Sequence, residues 1–413
     1  MPPKLYPRTT LALLTAINFV NYIDRSVLFA VQPLVQQEFH QSDRVFGFLT
    51  SAFFIAYMLF APVAGFLGDR YARRMIIVIG IAVWSGATLL TAITYDFSTL
   101  MIRHAIVGIG EASYATIAPA LIADLFPEHK RGRMLAIFYL AIPTGTAVGY
   151  MLGGYLGNLY GWRTPFYVAA APGFLLAALM AMVPEPARGA SDHLAATAER
   201  DTILGLFQNR AFWTASLGMA MMTFALGGMQ VWMPTFLSRM RGIPLARANL
   251  IFGATVAFNG IVATMTGGWL GDRLLRRTHK AYYLVSAGGM AIALPLMLGA
   301  IYLTGPTMFP SILVAEFFLL INTGPLNAAV VNSVGPHVRS SAIAVNLIAI
   351  HILGDVPSPP LIGWISDKTN LQTGFLSAVA AIGLSAAILF LGMKYAPKLR
   401  PEDLAGNPSG AGH

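Results

Sequence analysis

The sequence predicts an all-α membrane protein, twelve transmembrane helices in two six-helix bundles, on three observations: its composition, the spacing of its apolar runs and the placement of its basic residues. Of 413 residues, 56% are hydrophobic and 11% charged, with a mean hydropathy of +0.64. Charges this sparse cannot coat a water-soluble globule of such length. Apolar runs fall near residues 9–34, 45–68, 75–95, 99–123, 133–157 and 163–184, and again near 211–237, 247–271, 281–304, 309–333, 339–363 and 371–395. Each has roughly 20 residues or a little more, enough for one helix to cross about 30 Å of hydrocarbon. With the N-terminus inside, 19 of the 27 Lys and Arg residues lie in inner segments and 6 in outer ones, leaving Arg25 and Arg103 within spans. This positive-inside bias puts both termini in the cytoplasm. It makes the net charge of +9 a matter of topology, with no nucleic-acid partner implied.

The organisation that follows is a first bundle over 1–184, a cytoplasmic linker over 185–210, a second bundle over 211–396 and a Pro- and Gly-rich disordered tail over 397–413. The N-terminal MPPKLYPRTT runs straight into a full-length span with no A-x-A site, so no removable signal peptide is expected. The lack of cysteine excludes disulfides, thiolate metal sites and cysteine nucleophiles. No HExxH, GxSxG, two-carboxylate metal motif or P-loop occurs, which argues against an enzyme, a primary pump, a cofactor or a resident metal.

Two stretches repeat. GFLGDRYARR (65–74) follows the second span and GWLGDRLLRR (268–277) the eighth, about half the chain apart, with seven shared positions. Any basic loop would explain the arginines, but not Gly65/Gly268 and Asp69/Asp272 at fixed offsets. Repeated halves are what a carrier needs in order to present one site to two sides. These loops resemble the signature of the major facilitator superfamily. RHAIVGIGEA, with Arg103, Gly108 and Gly110, resembles its fourth-helix motif, and GTAVGYMLGG, with Gly145, Gly149, Gly153 and Gly154, its glycine-rich fifth helix. Ala72 and Leu275 stand where the superfamily commonly has glycine. More narrowly, NYIDR, VWS, GIGEA, GMQVWMPTF and IHILGDVPSPPLIGWISD together resemble the Spinster family, in a bacterial-type member. Animal members of that family move sphingolipids and lysophospholipids.

A charge at mid-bilayer costs at least about 2.5–3.5 kcal/mol, so it should face a partner or a water-filled cavity. The candidates are Asp24 and Arg25 in the first span, Arg103 and Glu111 in the fourth, Glu316 in the tenth, and His351 and Asp355 in the eleventh. Neighbours on a helix point about 100° apart, so Asp24 and Arg25 should meet different groups, Arg25 pairing with Glu111. Glu111 is the candidate proton carrier: burial and Arg25 act on its proton affinity in opposite senses, so a rearrangement that makes or breaks the contact changes it. Asp24 and Arg25 complete the coupling set. Arg103 is open between a cavity role and snorkelling to the outer interface. Glu316 is open between a structural carboxyl and a second proton site.

HILGDVPSPP sets His351 and Asp355 at i, i+4 on one helix face, and Pro357, Pro359 and Pro360 then free backbone carbonyls, a pattern that reads as a hinge or cavity wall. Two such ligands are too few for a metal. In span seven Phe224, Met229 and Trp232 stand among methionines and aromatics that suit either a lipid tail or ordinary packing. The expected cytoplasmic gate comprises Gly65, Asp69, Arg70, Arg73, Arg74 and Arg339, with Gly268, Asp272, Arg273 and Arg133 as its repeat. Asp69 should cap the start of span eleven near Arg339, and Asp272 that of span five near Arg133. The expected activity is proton-coupled, alternating-access transport of an amphiphilic lipid by a monomer in the plasma membrane, of the bacterial inner-membrane type. Symport of small organic anions, with Arg25 and Arg103 as carboxylate clamps, is the alternative.

Overall fold

The computed structural model describes residues 6–185, 203–334 and 338–397, and among them every regular element is helical. Span one is Tyr6–Ala30, 25 residues including Asn18, Asn21, Asp24 and Arg25. Eleven further segments are long and apolar enough to cross a membrane. They are span two Asp43–Arg70, three Arg73–Thr91, four Phe97–Leu125, five Arg133–Tyr160, six Thr164–Ala181, seven Arg210–Arg241, eight Leu245–Leu275, nine Ala281–Tyr302, ten Gly305–Asn332, eleven Ser341–Lys368 and twelve Leu371–Gly392. The tail beyond 397 and most of the linker lie outside the described residues.

Local chemistry sets the ends. Ser42 accepts from Val45 N at the start of span two, Asp96 from Thr99 N at span four and Asn370 from Thr373 N at span twelve, each answering an amide the helix leaves unpaired. The first span stops at Ala30, short of the expected 34. Pro33 has no N–H to continue the ladder and instead opens a separate helix, Gln32–Phe39, which ends on His40 in the left-handed conformation. Ala72 sits at φ −59°, where any residue fits, so the glycine common at that position is not required.

The chain forms two compact units. One joins Met1–Ala196, Gly227–Phe258 and Asp355–Phe375; the other joins Thr197–Leu226, Asn259–Gly354 and Leu376–His413. The division cuts spans seven, eight and eleven in mid-helix and so differs from bundles at 1–184 and 211–396. The cause is local packing in the first unit, where span eleven's end lies along span two and Phe46 meets Trp232 edge-on. Within that unit span one lies against five, span two against four, and span three against four and six. Trp84, Tyr114, Phe53, Ile117 and Phe138 form its core, and the Tyr114 hydroxyl donates to Leu14 O at 2.5 Å. Within the second unit span nine packs on ten and twelve, Ser385 Oγ donates to Gly218 O and Asn209 Nδ2 to Ser333 O.

Spans one and five approach so closely that a Cβ on Gly149 would stand 2.7 Å from Ile23 O, whereas one on Gly86 would meet nothing within 4 Å. Gly149→Leu should therefore lower the thermal midpoint in detergent by the equivalent of about 1–3 kcal/mol of overpacking. Gly86→Leu should leave it unchanged or raise it, as fluorescence-monitored unfolding would report.

Glu38 closes the same unit beyond span one. Its carboxylate accepts two bonds from Arg163, at 2.6 and 2.7 Å, and one from Trp162 Nε1 at 2.7 Å. The Arg163 hydrogen bonds foremost, then Trp162, hold its pKa below the ordinary glutamate value despite some burial. A carboxyl depressed on folding stabilises above its unfolded pKa, about 4.3, and loses that contribution as pH falls through the native value. Glu38→Gln should lower the unfolding midpoint at pH 7 by no more than about 1 kcal/mol, since the pair is half exposed. The difference from wild type should fade as pH is taken below the carboxylate range.

Candidate functional site

Arg25, late in span one, and Glu111, mid-span four, meet in the first unit as expected. Arg25 Nη2 is 2.6 Å and Nε 3.2 Å from Glu111 Oε2, and the glutamate is fully buried. Both bonds go to one oxygen. Glu111 Oε1 has no partner, and the neighbouring Asn21 Nδ2, one turn before Arg25, has no acceptor. The guanidinium sits in an aromatic cage, with ring centroids of Phe53 at 4.7, Tyr22 at 4.8, Phe54 at 5.8 and Tyr57 at 5.8 Å. Span two supplies three of those rings from one face. Such faces attract a desolvated cation by up to about 2 kcal/mol each. Asp24 turns elsewhere, as the helix phase requires. Thr88 and Trp84 of span three are polar neighbours of its carboxyl, whose two oxygens are buried without a hydrogen bond of normal geometry. His104, also buried, stacks on Phe53 at 5.2 Å. Removing one partner of such a pair strands a buried charge, so protonation of Glu111 and the hold on Arg25 are tied together.

Of the other intramembrane candidates, Asp355 lies in the same unit, within electrostatic reach of Tyr22, one ring of that cage. Arg103 donates to Leu90 O and, at 2.6 Å, to Thr94 Oγ1, which engages it with the C-terminal end of span three. Glu316 lies in the second unit, accepting from Asn259 Nδ2 at 3.2 Å. His351 and Asp355 do not share an α-helical face. His351–Asp355 is a single π-helical turn, and the two residues fall in different units. The prolines beyond it act as expected on the backbone. Pro360 deprives Val356 O of its helical donor, and Ser51 Oγ stands 2.5 Å from that oxygen. Phe224 is buried in the second unit, Met229 and Trp232 in the first. Trp232 Nε1 is spent on Pro359 O at 3.1 Å, a packing role.

At the loop after span two, Arg73 pairs with Asp124 at the end of span four and lies 3.9 Å from Asp69, whose side chain is 80% exposed. The amides of Arg73 and Arg74 donate to the two oxygens of Glu185, at 2.8 and 2.9 Å, and Arg74 Nη1 donates to Val183 O. Arg70 lies over Phe66. In the repeat Arg273 lies over Trp269, and Asp272 accepts from the Tyr282 hydroxyl at 3.0 Å. Gly65 and Gly268 are not crowded, the former facing Thr116 at 3.5 Å. Arg133 is exposed, and the Arg339 side chain lies outside the described residues. Neither Asp124 nor Glu185 was expected here.

A second cluster, on the expected outer side, escaped the sequence reading. Asp43 Oδ1 accepts from Arg239 at 2.7 Å and Gln36 at 2.8 Å, and its Oδ2 from Ser366 Oγ at 2.6 Å. Asp367 spreads its two oxygens over the amides of Asp43 and Arg44 at the N-terminus of span two, at 2.8 and 3.0 Å. A Cβ on Gly363 would stand 2.3 Å from Asp43 O, so only glycine permits the approach. The signal was present: GWISDK (363–368) keeps the G-x-L/I-x-D spacing of GFLGDR and GWLGDR, and GYLGNL (154–159) keeps it with Asn158.

Among known proteins, the model of the Major Facilitator Superfamily matches residues 14–356. Protein spinster homolog 3 of Danio rerio is 36% identical over 381 residues, covering 87% of this chain and 76% of that protein. A sphingosine-1-phosphate transporter of Mus musculus is 34% identical over 410 residues, covering 92% and 75%. In fold the chain is similar to a crystal structure of a bacterial homologue to the human lysosomal transporter Spinster, in an inward-facing and unoccupied conformation. The TM-score is 0.86 at 23% identity, covering 96% of this chain and 98% of that one.

Proposed function

The chain belongs to the major facilitator superfamily and, within it, to the Spinster family, and from that premise we propose that it carries an amphiphilic lipid by proton-coupled alternating access. A member of this family is a transporter, not an enzyme. The observation that carries the coupling is the buried Arg25–Glu111 contact inside the aromatic cage. If Glu111 holds a proton when Arg25 is withdrawn and releases it when Arg25 returns, a proton gradient biases the cycle through differential affinity. Asp24, about 100° round the same turn, belongs to that coupling unit. The cycle runs in a monomer of the bacterial inner membrane, both termini cytoplasmic, with bundles at 1–184 and 211–396 as its moving bodies.

A lipid of the sphingolipid or lysophospholipid class is favoured by two things. One relative carries sphingosine-1-phosphate in its name. The other is the state of the arginines. Small organic anions would need a free cationic clamp, yet Arg103 is engaged at the end of span three and Arg25 with Glu111. Counterflow of labelled lysophospholipid, sphingoid base and small acids in proteoliposomes tests the class; transport of acids alone would reject the lipid.

Glu111→Gln mimics the protonated acid and should abolish proton-driven uptake while leaving substrate binding partly intact. Arg25→Ala should be worse, with a loss of stability of about 3–5 kcal/mol as well as of transport, because it strands a buried carboxylate. Uptake against external pH, with wild type beside both variants, is the measurement. Full pH-dependent accumulation by Glu111→Gln would move the coupling elsewhere.

The gates should respond in opposite senses. Asp69→Asn should open the cytoplasmic side, and Asp367→Asn, which weakens the contact on the amides of span two, the outer side. Spin-pair distances across each face should lengthen selectively in the matching variant; unchanged distances on both faces would remove the gating role.

A further inference from the structure

Two buried carboxyls in this molecule each face a carboxamide, and their needs are opposite. At Glu111 the unmet groups are an acceptor, Oε1, and a donor, Asn21 Nδ2. These answer each other with the carboxylate ionised and Arg25 neutralising it. At Glu316 the missing group is a donor. Asn259 Nδ2 donates to Leu313 O at 2.9 Å and to Glu316 Oε2 at 3.2 Å. The first bond fixes the direction of the amide, because turning it would set oxygen against oxygen. Asn259 Oδ1 is then left buried with nothing to accept.

No charge compensates the site. Among the described residues Glu316 makes no ion pair. Span eight brings it Asn259, and span nine, which packs on span ten, brings Gly299 beside Ser311. An ionised carboxylate held by one neutral amide is an expensive thing to bury, and a buried acceptor without a donor adds to the cost. One proton removes both faults. The acid is neutral, and its O–H is the donor that Asn259 Oδ1 lacks.

We propose that Glu316 and Asn259 form a second proton-binding site, in which Glu316 carries its proton in this structure and gives it in a hydrogen bond to Asn259. The site is independent of whether Glu111 couples transport, and its test uses no substrate. Infrared difference spectroscopy of the full-length protein in lipid, at neutral and alkaline pH in H2O and D2O, reads the C=O stretch of protonated carboxyls. At neutral pH a band should be present that moves down in D2O, survives Glu111→Gln and disappears in Glu316→Gln. Asn259→Leu should keep the band but shift it to higher frequency, since the acceptor is gone. That shift carries the test alone if Glu316→Gln fails to fold. Absence of the band at neutral pH, or a band that neither variant changes, overturns the proposal.

Discussion

Lipid offers no solvation to a charge, and the arrangement of the first unit follows from how Arg25 is answered. One carboxylate oxygen and four aromatic rings surround its guanidinium. For the oxygen to reach it, spans one and four must present Arg25 and Glu111 at one level. For the rings, span two must turn Phe53, Phe54 and Tyr57 to the same side. The adjacent Asp24 must then face span three, where Trp84 and Thr88 stand. The close crossing of spans one and five at Gly149 holds span one in that register. A helix with Arg25 one residue out of phase would take it from both its carboxylate and its rings.

The rim uses a different chemistry. A helix N-terminus offers unpaired amides and a partial positive charge, and a carboxylate has two oxygens to give them. Glu185 does this to span three and Asp367 to span two. Because the donors are backbone, such a contact can open without abandoning a buried cation, and water takes its place. The rim contacts therefore cost little to make and break, whereas the Arg25–Glu111 pair does not. That difference suits the rim to the gating proposed for it and the core to the proposed coupling.

Much of this was legible. Span lengths and the Arg25–Glu111 contact follow from apolar runs and helix phase, both of them local or periodic properties. What escaped depends on which chain segments meet. Asp124 lies just past the expected end of span four, and Asp43, Arg239 and Asp367 read as ordinary loop charges until span eleven's end is laid along span two. Arg103 has two chemically sensible fates, and only the position of Thr94 decides between them. The π-turn at His351–Asp355 alters the face on which those residues project, and no spacing rule for an α-helix foresees it.

The repeated motif shows how sequence and contact inform each other. Read as G-x-L-G-D-R-x-x-R-R it has two copies, because span eleven has Ser366 for glycine and Lys368 for arginine, and span five has Asn158 and Leu159. The contacts point to a smaller unit: a glycine, an aromatic next to it, an aspartate four residues after the glycine and a cation after that. Arg70 lies over Phe66 at 4.1 Å, Arg273 over Trp269 at 5.2 Å and Lys368 over Trp364 at 4.1 Å. In each the cation stacks on the ring one helical turn before it, which directs it along the helix and away from the aspartate. The aspartate is thereby left to a partner outside its own helix, and at Asp367 that partner is the pair of amides opening span two. Arginine at two copies and lysine at the third serve the stack alike. Glycine is fixed where backbone meets backbone, as at Gly363 against Asp43 O.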